Sequence, residues 1–512
     1  MSNLLSFRHI VPELVLGGTA VLVFLLSAAA RRKARWHEIL FPALALLGLL
    51  AALASLLWLA LGANDSTSNC QYGGCSLFFG LLASDPLAIL FRGLVIVATL
   101  IGVILSLGSP SLPDDRRGEY HGLLLVMGMG MCLLSAANHL LMIYVAMETV
   151  SLCSYLLAGW DDRKQRSREA GLKYVLYGGV ASGVMLFGMS LFYGLFGELS
   201  LQGLQQALSG SAVIETGAGH WAAMLSTVFI LGGLGYKVAA APFHMWCPDV
   251  YEGAPTPFTA LLSVGPKAAG FALLLRFFYG IFLAPGSMDQ VVGGSSQIPW
   301  VVIIGLISAV TMTIGNLAAI VQNNLKRLLA YSSIAHAGYV LMGVTAGGRD
   351  GFEAVSLYMI VYLIMNMGAF AVVSAVDRSA GSEEMRVYRD LGRRAPLLGA
   401  VLAVLLISLT GLPPTAGFIG KLYLFAALIH KGGYWFVALA VVGIANSVVS
   451  LFYYARVLKA MYIEKDTDNL PRVSQRNTAT AVATVLSILT LIFGVFWQPL
   501  AAAAQWSAML FH

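Results

Sequence analysis

Two lysines lie inside long apolar stretches, on either side of a polar, proline-rich break. They are Lys237 and Lys267, in the segment GLGYKVAAAPFHMWCPDVYEGAPTPFTALLSVGPKAAG over residues 233–270. An ammonium group exposed to hydrocarbon is costly, so a lysine in such a stretch normally faces a protein interior or a hydrated path rather than lipid. Each lysine therefore marks a candidate site for ion movement.

The break between the lysines combines helix-interrupting and titratable residues. It contains Pro242, Pro248, Pro255 and Pro257 together with His244, Asp249 and Glu252. Proline removes an amide donor, and a broken backbone persists at membrane depth only where protein or water satisfies it. Broken helices beside buried charges are typical of ion transporters. We therefore take Pro242 and His244 as supporting residues of the site.

A carboxylate in another apolar stretch could pair with one of these lysines. Glu148, in LLMIYVAMETVSLCSYLLAG, lies about nine residues into its predicted helix, which is ~14 Å along the axis and near the middle of a membrane. It is either a structural ion-pair partner or a functional carboxylate paired with an intramembrane lysine. We favour the second interpretation, with Lys237 as the partner and Tyr144 as a supporting residue one turn earlier.

Two further residues could carry protons. Lys267 has no acidic residue near it in the sequence, and burial without a fixed anion disfavours the charged ammonium, as a group that must gain and lose a proton requires. His336, in LAYSSIAHAGYVLMGV, is either a satisfied core histidine or a relay, because Ser332, Ser333 and Tyr339 make its surroundings polar and imidazole titrates near neutral pH.

A second break precedes another lysine. Lys421 follows the prolines Pro413 and Pro414 in SLTGLPPTAGFIGKLYLFAALI. A lysine beside a Pro/Gly break thus occurs twice, about 180 residues apart. Matching breaks of this kind are expected in two related halves of a transporter. Lys421, Pro413 and Pro414 therefore join the candidate site.

The composition predicts an all-α polytopic membrane protein. Of the 512 residues, 58% are hydrophobic and 11% are charged, against about 25% charged in an average soluble domain, and the mean hydropathy is +0.79. Apolar runs of about 20 residues each suffice for one membrane crossing. We predict about fourteen helices, at 11–30, 38–61, 78–107, 120–137, 139–159, 170–195, 221–241, 257–283, 299–321, 325–345, 352–377, 397–429, 435–460 and 477–499.

The distribution of positive charge predicts the orientation. One set of loops holds 21 Lys and Arg, whereas the opposite set holds only Arg8, Arg349 and Lys431. The first set is therefore expected in the cytoplasm and both termini outside. The net charge of +6 is confined to short loops, so we expect no nucleic-acid partner. Cys70 and Cys75 lie in one polar loop that is expected outside. They could form a disulfide or remain free thiols.

Other charges are expected to be structural. Asp85 is predicted to mark the outer end of its helix, and Lys326 and Arg327 could extend to the cytoplasmic surface. The positions expected at membrane interfaces are Glu13, Glu353 and Asp377. No GxGxxG after a strand, paired CxxC, phosphate loop or haem motif is present, so no prosthetic group is expected in this chain.

Five segments carry a resemblance to a known family: METVSLCSYLLAG, GYKVAAAPFHMWCPDVYEGAPTP, SVGPKAAG, NNLKRLLAYSSIAHAGYVLMG and TGLPPTAGFIGKLYLF. Over about residues 120–462 the chain resembles the antiporter-like membrane subunits of proton-pumping NADH:quinone oxidoreductase, respiratory complex I, and is most similar to the subunit N group. The resemblance implies fourteen transmembrane helices with two inverted five-helix repeats, at 120–285 and 299–460. Three helices within 1–119 would precede them, and a cytoplasmic loop and last helix within 461–512 would follow.

The resemblance also implies roles for the candidate residues. Glu148 would pair with Lys237, Lys267 would be the central relay, His336 would lie on a polar axis joining the two halves, and Lys421 would lie near the outer exit. One departure is His139 after Asn138, where the family commonly has an acid, and this puts any role of that acid in doubt. NADH, FMN, iron–sulfur clusters and quinone would belong to partner subunits in a bacterial inner membrane.

The leading hypothesis is proton translocation coupled to quinone reduction in other subunits, as part of an electron-transport translocase. One alternative is a subunit of a multi-subunit sodium/proton antiporter, and another is a subunit of a membrane-bound hydrogenase. A fourth possibility is a structural spacer, in which the charged positions could be neutralised without loss of transport. Co-purifying subunits would separate the first three.

Overall fold

The computed structural model describes residues 3–29, 37–62, 75–112, 116–210, 217–283, 298–465 and 470–511. Within them the chain forms twenty α-helices, two short 3-10 helices and one small antiparallel hairpin. In chain order the α-helices are α1 (Asn3–His9), α2 (Val11–Ala29), α3 (His37–Gly62), α4 (Pro86–Ser106), α5 (Arg117–Ala136), α6 (Leu140–Ala158), α7 (Gln165–Phe196), α8 (Leu201–Gly210), α9 (Gly217–Val238), α10 (Trp246–Gly253), α11 (Thr256–Phe282), α12 (Trp300–Ile320), α13 (Leu325–Ala346), α14 (Gly348–Ala380), α15 (Leu391–Arg394), α16 (Pro396–Thr410), α17 (Ala416–Lys431), α18 (Tyr434–Tyr462), α19 (Thr478–Val495) and α20 (Gln498–Ser507). The strands are β1 (Cys75–Leu77) and β2 (Leu82–Ser84).

The helical architecture confirms the all-α membrane fold. Among the described residues, thirteen helices are long and apolar enough to cross a membrane. The remaining predicted segment, 397–429, is divided into α16 and α17. The proline-rich segment after Lys237 likewise separates α9 from α10. Both predicted breaks are therefore present.

The predicted start of the third helix was wrong. Residues 75–84 form the hairpin of β1 and β2, with Phe78, Phe79 and Gly80 in left-handed conformations at its turn. The helix begins only at Pro86, because the Asp85 side chain accepts a hydrogen bond from the Ala88 amide at 2.7 Å and caps the helix. Aspartate at the N-cap followed by proline is a strong helix-start signal. Apolarity alone did not reveal this boundary.

Strand β1 of the hairpin contains a cysteine that forms a disulfide. Cys75 in β1 is disulfide-bonded, whereas Cys70 lies outside the described residues. The cysteines Cys132, Cys153 and Cys247 are free and buried. A structural disulfide is typical of an oxidising compartment, which agrees with the outer location expected for this loop.

The lysine-bearing helix α11 lies at the centre of the bundle. Its most apolar stretch is 100% buried, and those of α13 and α14 are 94% buried, while α2 and α18 have only 28% of theirs buried. The outer helices therefore present their apolar side chains outward, as a lipid environment requires. Polar groups on α11, α13 and α14 are instead surrounded by protein, where neighbouring helices can satisfy them.

Side chains form hydrogen bonds with backbone groups at the two helix breaks. After α9, Ala239 adopts a left-handed conformation with φ 59, and the Ala241 amide donates to Thr311 Oγ1 at 2.9 Å. After α16, Gly411 adopts φ 87, and the Ser408 hydroxyl accepts from the Gly417 amide at 3.1 Å. A buried backbone amide without a partner is costly, so these contacts stabilise both interruptions inside the bundle.

Candidate functional site

Lys237 lies in the last turn of α9 and is only 2% exposed. Its Nζ donates to Ser151 Oγ on α6 at 3.1 Å. Gly270 of α11 allows the two helices to approach, because a Cβ there would come within 2.9 Å of Val238 Cγ1 and 3.6 Å of Lys237 Cγ. Lys237 therefore packs against α11 within one turn of Lys267.

Glu148 is half-buried on α6, one turn before Ser151. Its Oε1 is buried and has no hydrogen-bond partner within the described ranges. Its carboxylate interacts electrostatically with the Lys237 ammonium, but the lysine's hydrogen bond goes to Ser151. Residues three apart on a helix share a face, so Glu148 and the serine that accepts from Lys237 lie on the same face of α6. Tyr144 is half-buried and packs against the apolar core.

Lys267 is 2% exposed in the middle of α11. Its Nζ donates to the Ser333 carbonyl oxygen at 2.9 Å and to Ser333 Oγ at 2.6 Å, both on α13. The ring centroid of Tyr251 lies 6.0 Å from Nζ. The hydrogen-bond partners of this ammonium are thus neutral oxygens rather than a carboxylate, as the sequence led us to expect.

Ser333 also contacts side chains from two further helices. Its hydroxyl accepts from the Tyr362 hydroxyl of α14 at 2.7 Å and lies 3.5 Å from the Tyr251 hydroxyl of α10. A serine hydroxyl can accept and donate at once. The sequence interpretation named Ser333 only as part of the surroundings of His336, and it did not identify Tyr362 or Tyr251.

His336 lies three residues after Ser333, buried between tyrosines. Its Nδ1 is 2.6 Å from the Tyr358 hydroxyl of α14, and its Nε2 is 3.4 Å from the Tyr454 hydroxyl of α18. The Tyr454 hydroxyl also hydrogen-bonds Ser332. Both ring nitrogens therefore contact hydroxyls that can either donate or accept, an arrangement suited to passing a proton.

Lys421 lies over the second break. Its Nζ donates to the Thr410 carbonyl oxygen at 2.7 Å and to Ser447 Oγ at 2.7 Å, and it stands 4.6 Å from the ring centroid of Tyr339. Thr410 ends α16, and the free carbonyls at a helix C-terminus carry partial negative charge. The break thus supplies a neutral but polarised site for a buried ammonium.

A series of neighbouring, buried polar side chains lies between Lys267 and Lys421. Lys267 Nζ lies 2.6 Å from Ser333 Oγ, which lies 2.7 Å from the Tyr362 hydroxyl. The ring centroids of Tyr362 and His336 are 5.3 Å apart, and those of His336 and Tyr339 are 5.8 Å apart. The Tyr339 ring centroid lies 4.6 Å from Lys421 Nζ. Asn316 holds the Tyr339 hydroxyl at 3.3 Å. The four helices α11, α13, α14 and α17 position the members of the series.

The predicted supporting residues lie apart from the lysines. Pro242, Pro413 and Pro414 are exposed. His244 is buried, and its Nδ1 has no hydrogen-bond partner in the described part of the chain. These prolines shape the breaks rather than contact the ammonium groups.

Two pairs of oppositely charged side chains lie buried between helices. Arg92 Nε lies 2.9 Å from Glu13 Oε1, and Arg276 contacts both carboxylate oxygens of Asp85 at 2.6 and 2.9 Å. Glu13 lies in the first turn of α2 and is only 3% exposed within the protein. The partners lie far apart along the chain, so no local pattern indicated them.

The prediction that the Lys326 side chain extends to the cytoplasmic surface was wrong. Its Nζ is buried and contacts the Ala254 carbonyl oxygen at 2.8 Å and Glu383 Oε1 at 3.3 Å. Arg327 contacts Asp249 at 2.6 Å and Glu252 at 2.9 Å. These lysine and arginine side chains hold the end of the broken helix in place.

A signal for some of the missed residues was present in the sequence. Tyr358, Tyr362 and Asn366 recur every four residues within an otherwise apolar helix, which places them on one face. All three are buried and hydrogen-bonded. By contrast, nothing local distinguishes Ser151 or Ser447 from other serines in apolar helices.

The chain matches a family and named relatives over most of its length. The family described as NADH:quinone oxidoreductase/Mrp antiporter, TM, matches residues 137–447. NADH-quinone oxidoreductase subunit N of Anaeromyxobacter sp. (strain Fw109-5) is 45% identical, with 100% of this chain and 98% of that protein covered. NADH-quinone oxidoreductase subunit N 2 of Sorangium cellulosum (strain So ce56) is also 45% identical, with 98% and 96% covered.

Solved structures agree with these relatives. A chain of respiratory complex I from Thermus thermophilus with bound aureothin superimposes with a TM-score of 0.76 at 33% identity, covering 96% of this chain and 98% of that one. A chain of the Mrp complex from Dietzia sp. gives a TM-score of 0.79 at 20% identity, covering 98% and 97%, and shows a shared fold. The chain therefore belongs to the NADH:quinone oxidoreductase/Mrp antiporter family of membrane subunits, together with the subunit N proteins that it resembles.

Proposed function

We propose that the chain is the proton-translocating membrane subunit of an NADH:quinone oxidoreductase, a translocase whose redox chemistry takes place in other subunits. The observation that carries this proposal is the series of neighbouring, buried polar side chains between Lys267 and Lys421. Buried ionisable groups inside a membrane bundle are costly and mark ion pathways. The full-length similarity to proteins named NADH-quinone oxidoreductase subunit N supports the choice of complex.

In the proposed mechanism, Lys267 gains a proton and passes it toward Lys421. The Ser333 and Tyr362 hydroxyls accept one proton and release another. Water would bridge Tyr362 to His336, whose two nitrogens contact the Tyr358 and Tyr454 hydroxyls, and would complete the transfer from His336 to Lys421. Protonated Lys421 then releases its proton on the outer side. Each hydroxyl returns to its starting composition after one transfer, so no group is consumed.

Glu148 and Lys237 control the first step in this proposal. The carboxylate interacts with the Lys237 ammonium, and Lys237 packs one turn from Lys267 along α11. Like charges close together in a low-dielectric interior repel each other. A charged Lys237 therefore favours release of the proton from Lys267, and movement of Glu148 relative to Lys237 would couple the site to the rest of the complex.

We further propose the arrangement of the subunit. Two inverted five-helix repeats, at 120–285 and 299–460, would place Lys237 and Lys421 beside corresponding breaks. Both termini would lie on the periplasmic side of a bacterial inner membrane, with lipids around the outer helices. NADH, FMN, the iron–sulfur clusters and quinone would bind in partner subunits. Among the described residues, no group of three or more His, Cys, Asp or Glu side chains could hold a metal ion.

The test is proton pumping by the assembled complex with Lys267→Ala. We expect the proton-to-electron ratio in inverted membrane vesicles to fall, because the central carrier is removed. Lys459→Ala, on the exposed side of α18, is the matched control and should pump as the unmodified complex does. Wild-type pumping by a fully assembled Lys267→Ala complex would refute the proposal.

The subunits that co-purify with the chain distinguish the redox complex from an antiporter. Purification of the native assembly should bring down iron–sulfur subunits if the first function is right. Recovery with small antiporter subunits, and sodium-dependent exchange without a redox donor, would favour the sodium/proton antiporter instead. The hydrogenase alternative would bring down a hydrogenase module in place of the NADH-oxidising one.

A further inference from the structure

We propose that protons reach Lys267 along a polar seam between α11 and α14 that begins at Asp377. This inference rests on the proposed function, because only a proton-translocating Lys267 needs an uptake path. The seam opens toward the loops rich in Lys and Arg, where Asp377 is followed by the segment 378–396. That is the cytoplasmic side by the distribution of positive charge.

One wall of the seam is a single face of α11. Thr256, Thr259, Ser263 and Lys267 follow one another at intervals of three or four residues, which aligns them along a helix. All four are buried. Thr259 Oγ1 donates to backbone carbonyl oxygens within 251–255, and Ser263 Oγ donates to the Ala260 carbonyl oxygen. Each hydroxyl can still accept a hydrogen bond, so the row offers acceptors in line with the lysine.

The other wall is a face of α14. Asp377, Asn366 and Tyr362 are separated by eleven and four residues, close to whole helical turns. Contacts across the seam join the two faces. Thr256 Oγ1 donates to Asp377 Oδ2 at 3.3 Å, Asn366 Nδ2 donates to Ser263 Oγ at 2.7 Å, and the Tyr362 hydroxyl shares Ser333 Oγ with Lys267.

An unpaired polar atom lies on this seam, about one helical turn from Lys267. Asn366 is fully buried, and its Oδ1 has no hydrogen-bond partner in the part of the chain that the structure describes. A buried amide oxygen left unpaired costs free energy. Water can satisfy such an atom and bridge polar side chains that do not touch. The position of this oxygen is therefore that expected beside a proton-conducting water.

The seam opens at a set of charges around Asp377. Glu383 and Lys326 contact each other at 3.3 Å, and both interact electrostatically with Asp377, as does Lys164. Arg378, next in the chain, directs its guanidinium to the Leu105 carbonyl oxygen at 2.7 Å and to Thr478. The hydroxyl of Tyr388 also lies within electrostatic range.

Asp377 is the member of this set that is free to exchange a proton. Lys326 is held by Glu383 and the Ala254 carbonyl oxygen, whereas Asp377 forms no ion pair with any described residue and accepts only the Thr256 hydroxyl. In one cycle a cytoplasmic proton forms an O–H bond on Asp377. That bond then breaks as hydroxyls and bridging water pass a proton to neutral Lys267, where an N–H bond forms. Asp377 is left as a carboxylate and Lys267 as an ammonium.

The test uses the assembled, reconstituted complex with Asp377→Asn, Asp377→Glu and Lys267→Ala. We expect Asp377→Asn to lower coupled turnover by about a hundredfold, the lower end of the range typical of proton-transfer groups. The deficit should grow as the pH rises, since the supply of protons then limits uptake, and Asp377→Glu should restore most of the activity. Asp350→Asn, exposed at the other end of α14, is the matched control and should behave as wild type.

Two near-isosteric variants keep the test decisive if Asp377→Asn fails to assemble. Thr256→Val and Asn366→Leu remove one polar step each, and both should show the same pH-dependent deficit. Wild-type turnover and pH profile in Asp377→Asn, or in both isosteric variants, while Lys267→Ala is inactive, would overturn the seam and leave the proposed function standing. Wild-type pumping by Lys267→Ala would instead overturn both.

Discussion

Lys421 Nζ lies 2.7 Å from the carbonyl oxygen of Thr410, the residue that ends helix α16. The helix break therefore does more than interrupt a transmembrane segment, because it presents a polarised carbonyl to an ammonium group inside the bundle. The same break contains Gly411, whose missing side chain makes room for the lysine. This relationship explains why lysine and break occur together.

Gly411→Ala should damage both stability and pumping. The residue has φ 87, and a Cβ there would lie 2.7 Å from Lys421 Cδ. The left-handed conformation alone costs a non-glycine residue about 1–2 kcal/mol, and the clash would move the ammonium away from Thr410. Proton pumping and thermal stability in detergent measure the two effects.

The control for this prediction is Gly432→Ala. Gly432 has φ 71 at the end of α17, but no atom lies within 4 Å of the position its Cβ would take. It should lose stability to a similar extent and keep its proton-to-electron ratio. Equal loss of pumping in both variants would contradict the specific role of the Lys421 contact.

Ser333→Ala should separate Lys267 from Tyr362. The substitution removes the hydroxyl that both groups share, while the Ser333 carbonyl oxygen still holds Lys267 at 2.9 Å. Because a relay step is lost without a change in helix packing, we expect coupled turnover to fall by about tenfold or more in a normally assembled complex. Ser226→Ala removes a hydroxyl that donates to the Ala222 carbonyl oxygen within α9, and it should retain pumping. The relay is refuted if the two variants pump equally well.

Asp249→Asn should reduce stability in a pH-dependent way. Burial acts to raise the pKa of this carboxyl, but hydrogen bonds from Lys173 and Arg327 outweigh it and hold the pKa below its ordinary value of 3.8. A lowered folded-state pKa contributes stability that is complete above the ordinary value and is lost as the pH falls through the folded value. The side chain is partly exposed, so we expect a loss of about 1 kcal/mol at neutral pH.

Thermal unfolding in detergent at several pH values checks this prediction. The difference between Asp249→Asn and the unmodified chain should persist at neutral pH and shrink in acid below the usual aspartate range. Asp162→Asn, which removes an exposed pair with Arg116, provides the comparison and should leave the unfolding temperature unchanged. A difference that grows with acidity would contradict the assigned sign.

Arg276→Met should destabilise the bundle strongly. The guanidinium contacts both oxygens of buried Asp85 and joins α11 to α4, and removing one member of a buried pair costs about 3–5 kcal/mol because the other charge is left unpaired. The double variant Arg276→Met with Asp85→Asn should recover part of this loss, since asparagine also caps a helix. If the change in unfolding temperature of the double variant equals the sum of the changes in the two single variants, the two side chains do not interact.

The sequence by itself determined the membrane fold and the positions of the buried lysines. Apolar length, proline chemistry and the cost of an ammonium in hydrocarbon are local properties, and they identified Lys237, Lys267, Lys421 and both breaks. Tertiary structure decided the partners. Ser333 holds Lys267 across 66 residues, and Arg276 holds Asp85 across 191. A helical period shows which residues share a face, but not which face of another helix it meets, because packing of the whole bundle sets that choice.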